Sequence, residues 1–145
     1  MAAVLHAVEI AAIDHIVLRT RDPARLERFY CDVLGCTVEK RQPAFGLTQL
    51  RAGDALIDLV DANAQKLAVP APAHDAARNL EHFCLRLVRF DADALAAHLR
   101  AHGIEPGEVR ERYGATGSGP SLYFDDPDGN MIELKAPGDA PAAAR

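Results

Sequence analysis

A short pattern occurs twice in this chain, first as Asp14-His15-Ile16-Val17-Leu18-Arg19 and again as Glu81-His82-Phe83-Cys84-Leu85-Arg86. An acid, a histidine, two apolar residues, a leucine and an arginine recur in order, which implies two copies of one supersecondary unit. A helix-like stretch follows each copy. Residues 23–34 carry apolar side chains at 26, 29, 30, 33 and 34, the stripe of a half-buried helix, with Asp22 as cap, Pro23 at the first position and Gly35 at the end. In the second half Asp91 or Asp93 can cap a helix with an Ala92, Leu95, Ala96, Leu99 stripe that Gly103 ends.

The closing segments also match. Ile57-Asp58-Leu59 follows the turn residues Gly53-Asp54, and Ile132-Glu133-Leu134 follows Asp126-Pro127-Asp128-Gly129, a good type I turn. Between helix and closing strand each half has room for two more strands, near 36–42 and 45–52 and near 105–112 and 120–125. Each half therefore reads βαβββ. The expected fold class is α+β, two such modules forming a cupped mixed sheet. The expected organisation is an N-terminal arm over 1–12, a first module over 13–61, an Ala- and Pro-rich linker over 62–79, a second module over 80–136 and a disordered tail over 137–145. The second half is longer than the first, and residues 114–119, Gly-Ala-Thr-Gly-Ser-Gly, are the expected longer loop, either a flap over the cup or a plain connector.

The chain of 145 residues is 49% apolar and 26% charged, enough to pack a core. Its formal charge of −5 gives no reason to expect a nucleic acid or an anionic membrane as partner. No apolar run approaches the ~20 residues of a spanning helix. The apolar opening has no Lys or Arg before Arg19, so a cytoplasmic protein is expected. The cysteines, Cys31, Cys36 and Cys84, are odd in number and form no CxxC, and read as reduced, small apolar residues.

Side chains alternate faces along a strand. With Ile16 and Leu18 under the helix, His15, Val17 and Arg19 face away from it. By the same rule His82, Cys84 and Arg86 leave the core side, as do Asp58 and Glu133 in the closing strands. Two histidines and two carboxylates are thus expected on one concave face at equivalent positions. Neutral imidazoles with carboxylates suit a divalent ion such as Zn, Ni, Co, Mn or Fe(II) and leave positions open for water or substrate. His98 and His102, one helical turn apart without an accompanying Glu, read as ordinary residues of a helix C-terminus.

The segments DHIVLRTRDPARLERFYCDVLGC, EHFCLRL and SLYFDDPDGNMIEL resemble the marker segments of the vicinal oxygen chelate superfamily, which includes glyoxalase I, fosfomycin-resistance thiol transferases, extradiol dioxygenases and bleomycin-binding proteins. The resemblance runs from about residue 13 to 136. It implies paired modules curling into a cup, a metal held by His15, His82 and Glu133, and a further carboxylate at Asp58 as in glyoxalase I. It also implies a homodimer whose cups draw on both chains. Asp58 is one methylene shorter than the usual Glu. The segment from Leu122 to Glu133 is similar to part of the extradiol dioxygenase signature, Tyr123 included. The histidine expected upstream is replaced by Gly-Ala-Thr at 114–116, which weighs against ring cleavage.

The activity so implied is a metal-dependent lyase or isomerase of glyoxalase type. It would act on a small oxygenated metabolite or thiol adduct through a metal-stabilised enediolate. Glu133 or Asp58 would serve in turn as ligand and general base, and Tyr123 would orient the oxyanion. Arg19 and Arg86 would recognise an anionic substrate, or only pair with Asp14, Asp58 or Glu81. The alternatives are a thiol transferase or extradiol-type dioxygenase on the same ion, or a non-catalytic protein that binds a small ligand or drug.

Overall fold

The computed structural model describes residues 10–64 and 80–139. Most of the expected arm, linker and tail lies outside these residues. The first half runs β1 (His15–Thr20), α1 (Pro23–Asp32), β2 (Thr37–Gln42), a 3-10 turn (Pro43–Phe45), β3 (Leu47–Ala52) and β4 (Ala55–Asp61). The second runs β5 (Phe83–Arg86), α2 (Ala92–Ala101), β6 (Arg110–Gly114), β7 (Gly117–Asp125) and β8 (Met131–Lys135). The strand orders are β1-β4-β3-β2 and β5-β8-β7-β6. In each sheet the first and last strands pair in parallel and the other pairs are antiparallel. The fold is therefore α+β, built from two βαβββ modules whose strands form two separate sheets.

Local chemistry accounts for the helices. The Asp22 side chain accepts the Arg25 amide at 3.0 Å, Pro23 fills the first turn, and Gly35 reverses the chain at φ +70°. Of the two candidate caps for α2, Asp91 is the one used, accepting the Ala94 amide at 3.0 Å.

One apolar core joins the modules. Leu26, Phe29, Tyr30 and Val33 of the α1 segment pack with Leu18, Ile57 and Leu59 of the first sheet and with Leu99, Leu122, Phe124, Ile132 and Leu134 of the second half. The rings of Phe29 and Phe124 stand 6.3 Å apart across this junction. His98 reaches the C-terminal end of α1, with Nε2 2.7 Å from the Val33 carbonyl oxygen. Since the helix-facing sides of both sheets end in this core, their other sides face away from it.

The glycine-rich segment departs from expectation. Residues 114–119 are a tight β-hairpin in which Gly114 pairs with Gly117 around a two-residue turn, not a flap or long loop. The extra length of the second half lies in the α2–β6 connection, residues 102–109, and in the β7–β8 turn, residues 126–130. The hairpin is also buttressed by residues 138 and 139: the Gly138 amide donates to Thr116 Oγ1 and the Ser118 amide to Asp139, both at 3.0 Å.

Candidate metal centre

Alternation along the strands sends the expected donors to the faces turned from the core. In β1, Ile16, Leu18 and Thr20 are the more covered positions, and His15, Val17 and Arg19 are exposed. In β4 the register sets Asp58 against Val17 on one side and Gln49 on the other. Asp58 is buried, and its two oxygens accept from the Gln49 amide nitrogen at 3.2 and 3.1 Å. His15 Nδ1 lies 2.7 Å from Asp14 Oδ1, an arrangement that orients the ring and leaves Nε2 as its other nitrogen for a ligand. The Asp14 hydrogen bond, with Asp58 nearby, raises the His15 pKa above its ordinary value.

The second module gathers its donors more tightly. His82 directly precedes β5, and its Nε2 lies 3.2 Å from Glu133 Oε2. Tyr123, opposite Glu133 in the β7–β8 register, donates its hydroxyl to the same oxygen at 3.2 Å. The His82 and Tyr123 rings meet edge to face, with centroids 5.1 Å apart. Glu133 is only 6% exposed, so its carboxylate is held by these two side chains rather than by bulk water. Partial burial, followed by the Glu133 charge, raises the Tyr123 pKa and keeps the phenol protonated. The same influences push the Cys84 thiol up to about 11, so Cys84 is not a thiolate at neutral pH.

The four donors do not converge within one chain. His82 stands with Glu133, and Asp58 acts on His15, yet among the described residues no three His, Cys, Asp or Glu side chains form a group able to hold a metal. The expected single concave face is thus two half-faces with two donors each. Among the described residues no ion pair within the chain joins Arg19 or Arg86 to Asp14, Asp58 or Glu81.

Three participants were not singled out by the sequence. Gln49 holds Asp58. Arg112 stacks its guanidinium 4.6 Å over the Tyr123 ring and donates to Ser121 Oγ at 3.0 Å. Lys135, two residues beyond Glu133 on the same face, is buried. Alternation from Glu133 would have flagged Lys135, but a lysine late in a strand ordinarily reads as solvent-facing.

The family model of the Glyoxalase/Bleomycin resistance protein/Dioxygenase superfamily matches residues 12–134. A glyoxalase domain-containing protein of Mycosarcoma maydis is 31% identical over 138 residues, covering 92% of this chain and 72% of that one. A biphenyl-2,3-diol 1,2-dioxygenase of Rhodococcus globerulus is 32% identical over 122 residues, covering 83% of this chain and 60% of that one. Among solved structures, an integron cassette protein from the mobile metagenome of V. cholerae superposes with a TM-score of 0.73 at 27% identity, covering 90% of this chain and 98% of that one.

Proposed function

The chain belongs to the Glyoxalase/Bleomycin resistance protein/Dioxygenase superfamily, and on that premise we propose that it is a metal-dependent lyase or isomerase of glyoxalase type. Its substrate would be a small oxygenated metabolite or thiol adduct. The observation that carries this reading is the cluster of His82, Tyr123 and Glu133, in which a buried carboxylate is held at 3.2 Å by an imidazole and by a phenol.

The donor chemistry fits a divalent ion, since imidazole and carboxylate together suit Zn, Ni, Co, Mn or Fe(II). His82 and Glu133 of one copy would hold it together with His15 and Asp58 of a second copy, because each half-face offers two donors and neither suffices alone. When bound, such an ion polarises substrate oxygens and lowers the cost of charge developing on them. Glu133 accepts a proton from the carbon beside the carbonyl, the task of a carboxylate placed against the reacting carbon. Tyr123, protonated and anchored under Arg112, turns its single hydroxyl donor from Glu133 to the oxygen where charge develops once substrate is bound. Cys84 packs beside Glu133 and takes no nucleophilic part.

The test is a panel of methylglyoxal with glutathione, fosfomycin with a thiol, and catechols, each with the metals named above. Isomerisation in the first arm, lost in Glu133→Gln, supports the reading. Turnover only in the second or third arm replaces it with a thiol transferase or a dioxygenase, and no turnover in any arm favours a binding protein.

A further inference from the structure

Lys135 is buried to 5% exposure, and no carboxylate among the described residues lies within ion-pair distance of it. Its ammonium donates to the Gly117 carbonyl at 3.0 Å and to that of Ala136 at 3.5 Å. An ammonium has three donors, so one remains for another acceptor. The space for this side chain is made by missing side chains: a Cβ on Gly114 would stand 3.0 Å from Lys135 Cε, and one on Gly119 would stand 3.3 Å from Nζ. The glycines of the β6–β7 hairpin therefore serve a lysine, not a phosphate loop.

Arg86 is the register partner of Lys135 across the parallel β5–β8 pair. Both residues point to the face that carries Glu133. Like charges opposite one another in a sheet are destabilising, and Arg86, exposed, has no ion pair among the described residues to offset this. A cavity of about 290 Å3 opens between them, lined by Arg86, Lys135, Cys84, Glu133 and the turn at residues 114–116. Glu133 shares the cavity, but its carboxylate is engaged by His82 and Tyr123.

We infer that Arg86 and Lys135 form an anion subsite, which receives a carboxylate or phosphoryl group of the substrate while the reacting carbon lies at Glu133. The choice of substrate rests on the function proposed above; the anion site itself does not. Lys135 and Glu133 stand two residues apart on one strand face, a backbone spacing of about 7 Å at ~3.3–3.4 Å per residue, so one small molecule can reach both. The substrate class is then a short oxygenated acid or phosphate ester rather than a neutral aldehyde.

The experiment titrates inorganic phosphate, methylphosphonate and acetate into chelator-treated protein at low salt, with calorimetry as readout, so that no metal contributes. Wild type should bind at least one of these anions, and the comparison of acetate with the two phosphorus anions identifies the group preferred. Arg86→Ala and Lys135→Met should each weaken binding about tenfold or more, the usual loss on removing a charged hydrogen-bond donor. Arg86 is exposed, so its variant remains informative if Lys135→Met fails to fold. Absence of anion binding in wild type, or unchanged affinity in Arg86→Ala, overturns the subsite. Metal content measured on each preparation before the chelator is added reports on His82 and Glu133 separately, so failure of one reading is distinguishable from failure of the other.

Discussion

The hydroxyl of Tyr30 on α1 donates a 2.9 Å hydrogen bond to the carboxylate of Asp126 in the β7–β8 turn, tying the helix of the first module to the hairpin of the second. Both residues are buried. Asp126 also accepts the amides of Asp128 at 2.9 Å and Asn130 at 2.8 Å, and the Asn130 side-chain amide at 2.7 Å. One carboxylate thus shapes the turn that starts β8 and fixes that turn against α1, which places Glu133 relative to the shared core.

Tyr30→Phe should cost about 1 kcal/mol, the net worth of one hydrogen bond, because Asp126 retains three donors. Asp126→Ala should cost about 2–3 kcal/mol, since it leaves the Tyr30 hydroxyl and the turn amides without their acceptor. Urea midpoints of the two variants check this, and an Asp126→Ala loss no larger than that of Tyr30→Phe would refute the central place given to the carboxylate.

Burial, then the charge and hydrogen bond of Asp126, raise the Tyr30 pKa far above its ordinary value near 10. Above that pH the unfolded chain gives up the phenolic proton while the folded chain keeps it, so stability falls as pH rises. Wild type should therefore lose its advantage over Tyr30→Phe from pH 10 upward, by up to about 1.4 kcal/mol per pH unit. Parallel stability curves for the two proteins between pH 9 and 11 would contradict it.

The purified protein should hold about one divalent ion per chain, given two half-faces of two donors each. His82→Ala, Glu133→Ala and His15→Ala should each abolish it, as elemental analysis would show. Asp58→Ala should cost less, because both oxygens of Asp58 already accept from Gln49. Retention should also fall as pH drops, beginning above the ordinary imidazole range, because the Asp14 hydrogen bond raises the His15 pKa and protons then compete with the ion for that ring. Metal content unchanged in all four variants would remove the site.

The repeat made the modules legible because β1 and β5 carry the same acid-His pattern, and period-two alternation then sufficed to orient Asp58 and Glu133. The role of the glycines at 114, 117 and 119 was not legible. A Gly-rich run is locally compatible with a loop or with a tight hairpin, and only contact with Lys135, reached through strand register, distinguishes the two. Gln49 is hidden in the sequence for the same reason: its pairing with Asp58 is a cross-strand relation that no local pattern encodes. Nor could strand alternation show that the outward faces of the two modules stay apart within the chain. That follows from Phe29, Tyr30 and His98, whose contacts gather both helices into one core.

Because the two donor pairs do not meet in one chain, complementation between damaged copies gives a decisive test of the shared site. Chains with His15→Ala lack a donor of the first module, and chains with Glu133→Ala lack one of the second, so neither alone assembles a complete set in a two-fold dimer. Unfolding the two together in equal amounts and refolding them should make about half the dimers mixed. In each mixed dimer one cup receives both defects and the other receives His15 from one chain and Glu133 from the other. The refolded pool should then regain roughly a quarter of wild-type metal sites, by the statistics of a closed pair. Metal titration reads this without knowledge of the substrate, and native mass spectrometry confirms the mixed dimers. Mixed dimers that regain no metal would mean that copies do not complete one another's half-faces, however well His82 and Glu133 are placed.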